Sequence, residues 1–406
     1  MNPATKLRYY HWRGLNQAGR KVSGVIIGYQ EQEVRSKLTE QKIHIKKIKR
    51  RKPSTFSKLK NQMKSEDITE TTRQLATMIE SGVPVVQSLK LISNSHHKAE
   101  VRATLTQVTT QVEAGASLSK ALKTSSPLFD DFYCDLVATG EQTGHLAEVF
   151  SRIATYREKG EIMRKKVIKA MIYPSMVTLT ALIVTVMMLV FVIPQFASIF
   201  SSFGADLPLF TQLVINASDF LIAHGLYLAI ALVSVMFLYY YSHKKSYAFR
   251  LKVDKLSLRL PILGNVLLKA TIARFARTLA TTFTAGIPLL SGLQSAGKTA
   301  GNLYIANAVY EAHANTAAGM PLYLALRQSG VFPELMLQMT MIGEESGALD
   351  DMLNKMALLY ENDVDNTVDN LGKILEPLII IILGGLIGGL LVAMYMPIFS
   401  LMSVMG

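Results

Sequence analysis

The chain has 406 residues, half of them hydrophobic, a formal net charge of +13 and one cysteine. That length allows two or three domains, and a lone Cys134 excludes an intrachain disulfide framework. The mean hydropathy of +0.25 is high for a soluble protein, and the apolar residues gather in runs.

Residues 1–50 read as a small α+β unit. Tyr9–Arg13 and Lys21–Tyr29 have strand character about a turn at 15–19. Glu31–Gln41 is helical with Val34 and Leu38 one turn apart, and Ile43, Ile45 and Ile48 suggest a last strand. Residues 51–65 mix Lys, Arg, Ser and Pro and read as a flexible basic linker. From 66 to 170 the pattern is helical, with Leu75, Met78 and Ile79 forming a stripe. Gly82 followed by Pro84 marks a tight corner, because glycine ends one helix and proline favours the start of the next. Further corners fall near Gly115 and across Gly140–Gly144, so this segment is expected to be a bundle of short antiparallel helices.

Three stretches then lack charge: Ala170–Ala205, Leu221–Ser242 and Pro377 to the end. Each exceeds the roughly 20 helical residues that cross a hydrocarbon core. The expected order is a first span at 171–197, a loop at 198–220, a second span at 221–242, a second bundle at 243–373, a third span at 375–400 and a tail at 401–406. No leader-like apolar segment precedes the first span. The 1–65 region and the stretch after His243 are rich in Lys and Arg, whereas Phe196–Phe220 has none. The positive-inside rule therefore puts the N-terminus and both bundles in the cytoplasm, and the loop and tail outside. Attraction to anionic lipid accounts for the basic charge without nucleic acid, since no aromatic–basic RNA motif or zinc pattern accompanies it.

The chain repeats itself. RQLATMIESGVP at Arg73–Pro84 returns as RTLATTFTAGIP at Arg277–Pro288, and Gly140-Glu141-x-x-Gly144 returns as Gly343-Glu344-x-x-Gly347. The Ile193-Pro194-Gln-Phe196 exit matches Met396-Pro397-Ile-Phe399, whereas Tyr173 falls on Glu376. The architecture expected is thus an all-α integral membrane protein with two homologous cytoplasmic bundles, three membrane helices and a small N-terminal α+β unit.

Several motifs could carry chemistry. Gly292–Thr299 spells GLQSAGKT and satisfies the phosphate-loop pattern, but such a loop must lie between a strand and a helix. Here it follows a helix-starting proline and is missing from the first copy, so it reads as coincidence. Glu141 and Glu344 read either as partner or cation contacts or as carboxylates capping the next helix. Asp130, Asp131, Asp135 and Glu148 lie close in sequence without a legible ligand geometry. His96-His97 reads as a solvated helix end. The uncharged runs hold no Asp, Glu, Lys or Arg, which argues against an ion-coupled carrier. Gly384, Gly385, Gly388 and Gly389 form overlapping small-xxx-small patterns suited to close helix packing in lipid. No catalytic, cofactor or metal site is expected.

The duplicated corners, the Tyr173-Pro174 entry and the Pro-x-Phe exits together resemble the GspF/PilC family, inner-membrane platform proteins of type II secretion and type IV pilus machines, and the pilus branch most. The resemblance covers the whole chain. It implies a multi-pass protein of the bacterial inner membrane with a cytoplasmic N-terminus and no catalysis of its own. It further implies a platform that couples a hexameric cytoplasmic ATPase to insertion or extraction of pilin subunits; the alternative is the F platform of a type II secretion system. More distant alternatives are a nucleotide-binding membrane enzyme and a small carrier. Implied partners are assembly and retraction ATPases, pilin transmembrane helices and inner-membrane alignment proteins. The glycine pairs and a ring-shaped partner point to a homo-oligomer. Gly82, Pro84, Glu141, Gly144, Gly286, Pro288, Glu344 and Gly347 carry over as family positions with a contact or structural role.

Overall fold

The computed structural model describes residues 8–15, 19–28, 31–40, 42–50, 61–202, 208–261 and 263–405. The expected turn at 15–19 and most of the basic linker fall largely outside them. The chain divides into two compact units, one holding 1–161, 274–300 and 308–357, the other 162–273, 301–307 and 358–406.

The first unit begins with a three-stranded antiparallel sheet in the order β2-β1-β3, formed by β1 (Arg8–Leu15), β2 (Lys21–Gly28) and β3 (His44–Arg50). Helix α1 (Glu31–Glu40) supplies the fully buried Val34 and Leu38, which pack with Tyr10 against Trp12, Ile45 and Ile48. The period-four pair on the helix and the period-two residues on the strands meet as their spacing requires.

The first bundle follows as α2 (Ser65–Glu80), α3 (Val85–Ser95), α4 (Ala99–Glu113), α5 (Leu118–Ser125), α6 (Asp131–Thr143) and the start of α7 (Leu146–Met187). Leu75, Leu89, Ile92, Leu105, Leu136, Phe150 and Ile153 form one buried cluster. Met63 joins it and its N–H donates to Glu100 at 2.8 Å, so the chain is tied down two residues before α2 begins. His96 differs from expectation. It is buried at 6% exposure rather than solvated, because its Nδ1 accepts from the Lys98 N–H at 3.1 Å and holds the ring inward.

The second repeat uses α11 (Leu263–Thr284), α12 (Leu289–Thr299), α13 (Leu303–Ala317), α14 (Leu322–Gln328), α15 (Glu334–Ser346) and the start of α16 (Leu349–Met405). Phe275 and Phe332 meet with ring centroids 5.1 Å apart at its core.

The second unit holds the apolar helices. Among the described residues, three segments are long and apolar enough to cross a membrane: Leu146–Ile199, Leu209–Lys245 and Glu376–Pro397. Their large hydrophobic side chains, such as Met176, Leu232 and Ile381, are exposed, as lipid contact requires. The first contains α7, a π-helical turn at Met188–Val192 and α8 (Ile193–Ser202). The second, α9 (Leu209–Lys245), starts well before residue 221, so 209–220 is helix rather than loop. The cause is local: Pro208 caps the start, and no helix breaker occurs between Leu209 and Phe220. A short α10 (Tyr247–Ser257) follows.

Two hydroxyls tie the apolar helices together. Thr211 Oγ1 donates to the Ala393 carbonyl at 2.8 Å, and Ser218 donates to the carbonyl of Leu189 inside the π turn. A π turn loosens the regular hydrogen-bond ladder, and a neighbouring hydroxyl can satisfy such a carbonyl in lipid. Near the start of this unit, Val266, Val364 and Val368 pack with Met163 and Val167, flanked by Lys166–Asp365 at 2.5 Å and Lys269–Asp363 at 2.7 Å.

Candidate functional site: the paired corners

Each expected corner is built twice with the same hydrogen bonds. The Gly82 N–H donates to the Ile79 carbonyl and the Val83 N–H to the Met78 carbonyl, both at 2.9 Å. In the second copy Gly286 donates to Phe283 at 2.9 Å and Ile287 to Thr282 at 3.0 Å. This is the Schellman pattern of helix termination, and it needs a left-handed residue. Gly82 and Gly286 supply it at φ 83° and 79°, where a side chain would be strained. Pro84 and Pro288 then sit at the caps of α3 and α12. Ile287, next to the second glycine, is buried in the core cluster of the first bundle.

The Gly-Glu-x-x-Gly corners divide their work. Gly144 and Gly347 end α6 and α15 in the left-handed conformation. Gly140 and Gly343 lie inside those helices, where the following helix comes close: an added Cβ would be 3.0 Å from Val149 Cγ2 at the first and 2.9 Å from Leu349 Cα at the second. The carboxylates cap a helix, as one of the two readings held, but not the next one in the chain. Glu141 reaches back to α5, accepting from the N–H of Leu118, from the Ser119 N–H at 3.0 Å and from Ser119 Oγ at 2.7 Å. Glu344 reaches back to α14, accepting from the Leu322 N–H at 2.6 Å and the Tyr323 N–H at 2.8 Å. Neither α5 nor α14 has a side-chain cap of its own. A carboxylate there satisfies orphan donors and meets the positive end of the helix dipole.

The phosphate-loop lookalike is helix throughout, as α12. Its glycines serve close approach instead of a phosphate cradle: an added Cβ would lie 2.6 Å from the Tyr310 ring at Gly297 and 2.7 Å from Thr282 Oγ1 at Gly292. Lys298 Nζ is 2.7 Å from Asp131 Oδ2. Thr299 and Thr278 share a hydrogen bond at 3.0 Å, and Thr278 meets the Tyr156 hydroxyl at 3.1 Å. The second repeat thus grips the first through these side chains. Sequence reading missed this seam, since the pairs that cross it, Tyr156 with Thr278 and Asp131 with Lys298, share no spacing and are 122 and 167 positions apart.

Asp131 also pairs with Lys123 at 3.0 Å, and the two lysines, Lys298 first, hold its carboxyl below the usual carboxylate range. Burial pushes Asp135 above it. Burial also raises the Cys134 thiol to about 12, which leaves it unreactive at neutral pH. Asp130 caps α6 by accepting from the Tyr133 N–H at 2.8 Å. Among the described residues no three His, Cys, Asp or Glu side chains are placed to hold a metal ion.

In the third span, a Cβ added at Gly384, Gly385 or Gly388 would meet nothing within 4 Å, while one at Gly389 would approach Phe210 at 3.6 Å. Most of the small-residue face is therefore open to another helix.

These features define a class: a membrane protein carrying two copies of a capped helical bundle, each running into an apolar span. The chain belongs to the family of type II secretion system protein F. The family model matches residues 71–194 and again 275–397, and the model of the family's N-terminal domain matches 8–49. The chain is 45% identical to type IV pilus assembly protein TapC of Aeromonas hydrophila, over 100% of this chain and 98% of that protein. It is 43% identical to type IV pilus assembly protein PilC of Pseudomonas aeruginosa, over 92% and 100%. Against type II secretion system protein F of Vibrio cholerae the identity is 32%, over 98% and 99%.

Proposed function

We propose that this protein is the inner-membrane platform of a type IV pilus machine, coupling a cytoplasmic ATPase to the insertion or extraction of pilin subunits. The observation that carries this reading is full-length similarity at 43–45% identity to two type IV pilus assembly proteins. The lower identity to a secretion-system F protein makes that use the second reading. The N-terminus and both bundles face the cytoplasm in this reading, which the distribution of Lys and Arg supports. Helices α7 and α16 begin in the bundles and continue unbroken into the spans, past Pro174 and Pro377. Motion imposed on a bundle therefore reaches the bilayer through helix rather than through a flexible joint. The open face of Gly384, Gly385 and Gly388 receives a pilin helix or a second copy of the chain.

Crosslinking in intact cells from surface positions of 66–170 and 249–372 tests the reading. Capture of a hexameric ATPase from the bundles, and of pilin from the third span, is the expected result. Capture of secretion-system components alone would move the assignment to the second reading.

A further inference from the structure

The seam between the two repeats is built head to tail. The second repeat brings α11 and α12 to it and the first brings α6 and α7, with Thr278 against Tyr156 and Lys298 against Asp131. Ala285 and Ile287, at the corner between α11 and α12, join the core cluster that holds Phe132 and Tyr156. The internal repeat gives these residues counterparts in the other copy. Helices α3 and α12 both have 11 residues and both follow the corner proline, so Asn94 stands where Lys298 does and Leu91 where Ser295 does. Helices α6 and α15 both have 13 residues and both end at the corner glycine, so Glu334 stands where Asp131 does and Leu335 where Phe132 does.

A seam of two-fold character would repeat each contact with the copies exchanged, and Asn94 would face Glu334. The counterparts are open instead. Leu91 is 48% exposed where Ser295 is 4% exposed, and Leu335 is 44% exposed where Phe132 is 3% exposed. Ile342, two turns beyond Leu335 on the same side of α15, is exposed as well. Asn94 is exposed, and Glu334 makes an exposed ion pair with Arg327 of its own repeat. The first repeat thus presents one side of the seam on α3, and the second presents the other side on α15.

We propose that a second copy of this chain docks on these faces, α3 of one copy meeting α15 of the other as α12 meets α6 within the chain. The occupant follows from the seam itself. A contact between unlike faces leaves one face of each kind free at its ends, and another copy carries the matching face for both. Leu91, Leu335 and Ile342 form the apolar centre of the contact, and Asn94 and Glu334 its polar rim. Joined at both ends, two copies leave neither face open. This surface lies on the bundles and is separate from the glycine face of the third span.

Crosslinking between two differently tagged full-length copies, produced together in membranes, tests the proposal. Cys134 is buried and its thiol is raised by burial, so introduced cysteines carry the reaction. With a short bismaleimide, Leu91→Cys in one copy and Leu335→Cys in the other should join the two tags, whereas Leu91→Cys in both or Leu335→Cys in both should not. Sedimentation of the purified protein in detergent gives a second measurement. Leu91→Asp and Leu335→Asp should each weaken self-association about tenfold. Asn94→Lys, which sets against Glu334 the charge that Lys298 sets against Asp131, should tighten it about two- to fivefold. Crosslinks from the like pairs alone would show that each face meets itself and would overturn the proposal. Absence of any crosslink between copies would also overturn it, including the case in which Leu335→Cys captures a different protein, as would self-association indifferent to all three substitutions.

Discussion

The carboxylate of Glu344 accepts the backbone N–H of Leu322 at 2.6 Å, closing the start of one helix from a corner 22 residues further along the chain. Glu141 does the same for Leu118 in the first repeat. Replacing either glutamate by alanine leaves two helix N–H groups without an acceptor. Each change should cost about 1–2 kcal/mol. Thermal unfolding of the detergent-solubilised protein would measure it, and the double variant should lose about the sum, since the two caps share no partner. A loss well below 0.5 kcal/mol per site, roughly the surface-substitution level, would contradict the capping role.

Gly297 is a packing residue. An alanine there would put its Cβ against the Tyr310 ring, so Gly297→Ala should destabilise the protein by about 1–3 kcal/mol. Lys298→Ala breaks only an exposed ion pair and should cost less than about 1 kcal/mol. The opposite order in unfolding experiments would show that the lysine, not the glycine, matters to the fold.

The seam between the repeats should respond to acid. Asp131 has its pKa lowered in the folded protein, first by the Lys298 hydrogen bond and then by Lys123. A depressed carboxylate stabilises above its unfolded pKa, about 3.9, and the contribution is lost as pH falls through the folded value. Wild type should therefore lose stability below about pH 4 more steeply than Asp131→Asn, and the two should run parallel from pH 5 to 8. Parallel curves at all pH values would show that the pair contributes nothing.

The open glycine face makes a separate prediction. Gly385→Leu adds a side chain whose Cβ would point into open space, with no other described part of the protein within 4 Å of it, so thermal stability of the purified protein should be unchanged. Piliation of cells should fall, because the leucine blocks close approach of another helix. Normal piliation would mean that the face contacts lipid alone.

What the sequence made legible followed from local rules. Val34 with Leu38, the Gly82–Pro84 corner and the uncharged runs each announce themselves within a few residues, through periodicity, a left-handed glycine or length. The target of Glu141 could not be read, because a carboxylate's acceptor role says nothing about which helix end lies beside it. The antiparallel turn between α5 and α6 brings the preceding helix start to the glutamate. The stretch 209–220 reads as loop because Asp219 bounds the uncharged run that follows it, although Leu213, Val214 and Phe220 continue a helical pattern. The grip of Lys298 on Asp131 joins residues 167 positions apart and has no sequence signature.

The central claim is that each bundle drives the bilayer through a continuous helix. A short Gly-Ser insertion next to Gly160 in α7, an exposed position with open space around it, breaks that continuity and leaves both ends intact. The measurement is surface piliation in cells producing the inserted protein at the normal level, with ATPase capture by crosslinking as the control. The account predicts retained ATPase capture and loss of pili; pili at the normal number would contradict it.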